Sequence, residues 1–157
     1  MAFPRGEQYR SKGVKIGTGC RIWGKIDLHY PSAITIGNNV VLGGQSFIIS
    51  HCPIRGTDHE SMKITIEDNA WIGYGCIILP GTHIQKRTII GAGSVVSGEC
   101  LSDSVYAGNP CKFIRKRNRD EIIRTFLLIK QGFVVSIPSI NPTRKITKEE
   151  ITELFQK

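Results

Sequence analysis

Hydrophobic positions in this chain recur every six residues. Counting from Ile36 gives Ile36, Leu42, Ile48, Ile54, Glu60, Ile66, Ile72, Ile78, Ile84, Ile90 and Val96, of which only Glu60 is not aliphatic. Four residues after most of these comes a small residue: Ser46, Cys52, Ala70, Cys76, Thr82, Thr88, Ser94 and Cys100. Gly often follows the aliphatic directly, as at Gly37, Gly43, Gly73 and Gly91. An earlier block, Ile16, Ile22 and Leu28, has the same form in another phase. Period six fits neither an α-helix nor an ordinary alternating strand. It predicts a parallel β-helix with one short strand and one bend per hexapeptide, the aliphatic pointing inward and the small residue lining the bend.

Three hexapeptides close one coil of 18 residues. Residues 16–33 supply one coil, and residues 36–101 supply three more once an excursion of 12 residues, 52–63, is set aside. The excursion is a multiple of six, so the register survives it. A coil this short has a thin core and flat outer faces, which predicts burial against copies of itself. After Cys100 the rhythm is expected to stop. Gly108-Asn109-Pro110 reads as a turn. Asp120 to Gln131 reads as an amphipathic helix with Ile122, Ile123, Phe126 and Ile129 on one side. Pro138 and Pro142 mark a linker, and Thr147 with Glu150 forms a candidate capping box for a last helix over Ile151–Phe155. The expected division is an N-terminal extension 1–13, a β-helix domain 14–117 and a helical tail 118–157.

The 157 residues are balanced for one folded domain, 40% hydrophobic and 22% charged. No apolar run is long enough to span a membrane and the first ten residues lack a secretory core, so a cytoplasmic protein is expected. The formal charge of +8 is uneven: residues 1–111 carry a net +2 and residues 112–157 a net +6, densest at Lys112, Arg115, Lys116, Arg117 and Arg119. Such a cluster suits an anionic partner or a solvated face. Nothing interleaves aromatic and basic residues as nucleic-acid binding requires, so no nucleic acid is expected. Cys20, Cys52, Cys76 and Cys100 fall on small-residue positions without metal-finger spacing and read as reduced core residues.

The stretch from Ile66 to Arg115 resembles the hexapeptide-repeat acyltransferases, in particular the galactoside and maltose O-acetyltransferases and those of surface-polysaccharide gene clusters. The resemblance is carried by Trp71-Ile72-Gly73, Pro80-Gly81, Gly91-Ala92-Gly93-Ser94-Val95-Val96 and Ala107-Gly108-Asn109-Pro110. It implies a left-handed parallel β-helix of about four coils, although the general crossover rule favours the right hand. It also implies acetyl-CoA as cosubstrate, a sugar or glycan hydroxyl as acceptor, no metal, and a homotrimer with the site in a groove between subunits.

Acetyl transfer from a thioester needs a base for the hydroxyl proton, and histidine suits that task. Of His29, His51, His59 and His83, the resemblance selects His51, which stands where the repeat gives way to the excursion. His59 reads as a loop histidine open to an acceptor-binding role, and His29 and His83 as surface residues. The resemblance further implies that Trp71, Gly73, Tyr74 and Ala92 meet the acyl carrier's pantetheine arm and the acceptor. It sets Lys112 and Arg115 on coenzyme A phosphates. Gly98 replaces a lysine common in the family. The sugar-binding Asn and Asp of the galactoside enzymes have no counterpart; Trp23 and Pro31 fall near their places. The sequence leaves open an N-acyltransferase acting on an amino sugar, a zinc enzyme like the γ-class carbonic anhydrases, and a non-catalytic scaffold.

Overall fold

A computed structural model describes residues 5–52, 59–131 and 147–155. The chain divides into two compact units, 1–117 and 118–157.

In the first unit, two- to five-residue strands are dealt in rotation to three sheets. Sheet A stacks β1 (Lys15–Ile16), β4 (Ile34–Ile36), β7 (Ile64–Ile66), β10 (His83–Ile84) and β13 (Glu99–Cys100). Sheet B stacks β2 (Arg21–Ile22), β5 (Val41–Leu42), β8 (Trp71–Ile72), β11 (Ile89–Ile90) and β14 (Ser104–Ala107). Sheet C stacks β3 (Lys25–Ile26), β6 (Phe47–Ile48), β9 (Ile77–Ile78) and β12 (Val95–Val96). All these pairings are parallel, and each strand hydrogen-bonds the strand one turn later. The unit is thus all-β in its body and rich in parallel sheet.

The register puts one aliphatic of each strand in a column. Ile36, Ile66 and Ile84 align in sheet A, Leu42, Ile72 and Ile90 in sheet B, and Ile48, Ile78 and Val96 in sheet C. All are essentially inaccessible to solvent and share one core. Burying each such side chain contributes roughly 1.5–3 kcal/mol. Most of the small residues at the bends are buried too, and polar atoms among them tie one turn to the next. Ser46 Oγ donates to Gly73 O at 2.8 Å and accepts from Cys76 N at 3.0 Å. Ser94 Oγ donates to Gly91 O at 2.6 Å and accepts from Gly108 N at 3.1 Å. A larger residue at these places would fill the corner and leave the carbonyls unpaired.

Three expectations need correction. The inward residue of the first turn in sheet C is Ile26, which pairs with Ile48, and Leu28 packs only at the core's margin. The step from Ile22 is therefore four residues. Gly24 makes it possible, since a Cβ there would lie 2.7 Å from Ser46 O. A second four-residue step, from Val96, makes Cys100 an inward strand residue beside Ile84 rather than a bend residue. The rhythm then continues past Cys100, with Tyr106 buried beside Ile90. Sheet B ends in an antiparallel strand, β15 (Lys112–Lys116), reached through the Gly108–Pro110 turn.

At the other end, α1 (Gly6–Arg10) places Tyr9 in the core, and Tyr9 Oη accepts from Ile26 N at 3.2 Å. A short helix, α2 (His59–Met62), precedes β7. In the second unit, α3 (Arg119–Gln131) and α4 (Lys148–Phe155) bury Ile122, Phe126 and Leu154 together, with Ile123 packed against them. The linker prolines, Pro138 and Pro142, lie outside the described residues. No helix of the described residues is long and apolar enough to cross a membrane.

Candidate active site

His51 stands three residues beyond β6, where the chain leaves sheet C. Its Nδ1 lies 2.5 Å from Oδ2 of Asp27, which follows β3 one turn below. Asp27 is held in turn. Its Oδ2 accepts from Ser50 Oγ at 2.9 Å and Ser50 N at 3.2 Å, and its Oδ1 accepts from His29 N at 3.1 Å. Ser50 is fully buried and its Oγ accepts from Tyr30 N at 3.0 Å. The segments 27–30 and 50–51 are thereby clasped together.

This geometry fixes the chemistry of the ring. A carboxylate can only accept, so Nδ1 carries the proton and Nε2 of the neutral ring keeps its lone pair. The His51 side chain is 51% exposed and the Asp27 side chain 16%. Partial burial works against ionisation of Asp27, yet hydrogen bonds from His51, Ser50 and the His29 backbone outweigh it and hold the carboxyl below its ordinary value. An acidic anchor on one nitrogen and an open second nitrogen make a competent general base.

The other expected site residues gather elsewhere. Trp71 is the outward, half-buried residue of β8, in one column with Val41 and Ile89. Gly73, Tyr74 and Ala92 stand at the corner where the chain passes from sheet B to sheet C. A Cβ on Gly73 would lie 2.7 Å from Ala92 N, so successive turns touch backbone to backbone there. Tyr74 is 63% exposed, and its carbonyl accepts from Gly93 N at 2.8 Å. Lys112 pairs with Ala107 one turn above that corner, and Arg115 pairs with Val105 in the Trp71 column. Both basic residues are exposed. Within one chain, His51 is not brought to this group. It leaves sheet C at the edge opposite the one where Tyr74 and Ala92 enter it.

Of the remaining histidines, His83 faces outward from sheet A with Nε2 2.7 Å from Glu67 Oε1. His29 lies beside His51, ring centroids 5.0 Å apart. The side chain of His59 lies outside the described residues. Among the described residues no three His, Cys, Asp or Glu side chains are grouped to hold a metal ion. Cys76 and Cys100 are buried; Cys20 and Cys52 are half-buried, and all are free thiols. Asp27 was not foreseen. Its signal was the four-residue step: counting from Ile26 sets Asp27 beside Ile49, next to the segment that bears His51.

Residues 63–98 match the family described as bacterial transferase hexapeptide (six repeats). The chain is similar to a galactoside O-acetyltransferase of Lactococcus lactis, 35% identical over 126 residues that make up 75% of this chain and 59% of that protein. Among solved structures it is similar to a hexapeptide-repeat acetyltransferase of Vibrio cholerae in complex with acetyl-coenzyme A, with TM-score 0.57 and 26% identity over 68% of this chain and 62% of that one. A maltose O-acetyltransferase of Clostridium difficile gives TM-score 0.52 and 28% identity over 73% of this chain and 75% of that one. The chain spans less than two thirds of the length of the Lactococcus relative.

Proposed function

We propose that this protein is an acetyl-CoA-dependent O-acetyltransferase acting on a sugar hydroxyl, in surface-polysaccharide or related glycan synthesis. The observation that carries the reading is the His51–Asp27 pair, which leaves Nε2 as an open base on the surface. The similarity to acetyltransferases of galactosides and maltose, and to one bound to acetyl-coenzyme A, supports both the acceptor class and the acyl donor.

In this reading residues 14–117 form a left-handed parallel β-helix of about four coils. Nε2 of His51 takes the proton of the acceptor hydroxyl as its oxygen attacks the thioester carbonyl. Asp27 holds the ring and stabilises the imidazolium. When the tetrahedral intermediate collapses, the C–S bond breaks and the imidazolium returns its proton to the departing thiolate. The product is an acetyl ester and coenzyme A, with His51 neutral again. Tyr74 and Ala92 present main chain to the pantetheine arm, Gly73 leaves room beside it, and Trp71 forms a wall. Lys112 and Arg115 face the phosphates, where ammonium and guanidinium groups serve well. Because the base and this edge lie on opposite sides of sheet C, the site forms between neighbouring copies in a homotrimer.

The test is His51→Ala. Transfer to the acceptor is expected to vanish while coenzyme A binding, measured by calorimetry, stays within a few-fold. Turnover equal to wild type would remove His51 from the mechanism.

A further inference from the structure

The sequence assigned His29 to the bland surface, and the reaction above does not use it. The structure sets its ring 5.0 Å from that of His51, tilted by 38°, and gives it the edge of Tyr30 at 5.0 Å. The placement is built rather than accidental. His29 N donates to Asp27 Oδ1, the same carboxylate that anchors His51, and Tyr30 N donates to the buried Ser50 Oγ, so both imidazoles hang from one hydrogen-bonded clasp. His29 is exposed, and among the described residues its ring nitrogens carry no hydrogen bond. The Asp27 carboxylate therefore holds two neighbouring histidines, His51 by its ring and His29 by its main chain.

We propose that His29 is an acceptor-positioning residue, and that it selects acceptors carrying a second hydroxyl one or two carbons from the reacting one. The inference rests on the reading of His51 as the base. Two imidazoles whose ring centroids stand 5.0 Å apart can each offer a nitrogen to one oxygen of a neighbouring hydroxyl pair, since such oxygens lie closer together than the two rings. A neutral imidazole both donates and accepts, so it suits a hydroxyl in either role. With one hydroxyl on His51 and its neighbour on His29, the reacting oxygen is fixed in two directions, as near-attack geometry requires. An acceptor lacking the neighbour leaves that grip unmade. A site built to hydrogen-bond a hydroxyl discriminates against the analogue without it.

The experiment compares wild type, His29→Ala and His29→Gln on a panel of methyl hexopyranosides and their single-deoxy analogues, with acetyl-CoA as donor. The readout is the ratio of kcat/KM for each sugar to that of its deoxy partner lacking the neighbouring hydroxyl. Wild type should favour the intact sugar by roughly tenfold, the size of one hydrogen bond. In His29→Ala the ratio should collapse toward one, and His29→Gln, which keeps a donor and an acceptor, should restore part of it. An unchanged ratio in His29→Ala overturns the proposal while leaving the acetyltransferase reading intact. Wild-type protein that acetylates no hydroxyl on the panel, yet turns over an amino sugar, overturns both.

Discussion

Replacing Asp27 by Asn tests the core of the mechanism with almost no change of shape. The wild-type carboxylate accepts four hydrogen bonds, three of them on Oδ2 from His51 Nδ1, Ser50 Oγ and Ser50 N. An asparagine can satisfy that side with its amide oxygen, but its NH2 then meets the His29 N–H that Oδ1 accepted. One bond is lost and three become neutral, which costs about 1–2 kcal/mol of stability. The larger effect falls on the transition state. A carboxylate touching the developing imidazolium is worth about 4 kcal/mol at an effective dielectric of 20. Because the His51 ring is half exposed, solvent screening reduces this to about 2–3 kcal/mol. The expected fall in kcat is roughly 30- to 150-fold, with KM for acetyl-CoA unchanged. Steady-state kinetics on folded Asp27→Asn, with urea unfolding as control, make the measurement. A kcat within about threefold of wild type would refute the claim that Asp27 acts through His51. The same variant carries a pH signature. The Asp27 carboxyl lies lower in the folded chain than its ordinary 3.8, so its contribution is full above that value and lost as pH falls through the folded one. Wild type should therefore lose more stability than the variant between pH 5 and the acid limit of folding.

Other outcomes follow from the core, the edge and the thiols. Ile78→Ala empties a fully buried site between Ile48 and Val96 and should cost about 2–5 kcal/mol, read by urea or thermal unfolding; a loss under about 1 kcal/mol would mean the column is not close-packed. The double variant Lys112→Ala, Arg115→Ala should raise KM for acetyl-CoA about tenfold yet leave the truncated donor acetyl-pantetheine unaffected; equal effects on both donors would place these residues elsewhere than on the phosphates. Burial, with smaller contributions from Cys111 and Glu99, pushes the Cys100 thiol up to about 12, and burial raises Cys76 as well. Iodoacetamide at pH 8 should spare both until urea unfolds the chain, as mass spectrometry of peptides would show.

The body of the fold was legible because it obeys one rule. From Ile66 to Val96 every sixth residue is inward, and a steric rule of that regularity needs no tertiary information. The rule failed at Ile26 and Cys100, where a corner is cut to four residues. At Ile26 the choice of inward residue depends on how closely the next turn's backbone approaches Gly24, and before Cys100 on the positive φ of Gly98, neither of which periodicity reports. The antiparallel β15 escaped for a related reason: all five of its residues are exposed, so it has no inward pattern to read. His51 was singled out by the family resemblance, from its place before the excursion. Asp27 and His29 were not, because their partnership joins residues more than twenty positions apart and exists only once two turns are stacked in register.

Where no corner is cut and no excursion intervenes, the rung repeats after eighteen residues, as the pairing of Ile66 with Ile84 shows, so a spare rung spliced in is the natural unit by which such a chain could grow. Where it is spliced decides whether chemistry survives. Asp27 and His51 belong to successive rungs, and a new one wedged between β3 and β6 would lift the imidazole off its carboxylate by a full strand spacing, about 4.8 Å. A rung added beyond β9 would leave that partnership untouched. Growth there would instead part Tyr74 from Ala92, Lys112 and Arg115, so each storey is tied to its neighbours by a different part of the proposed site.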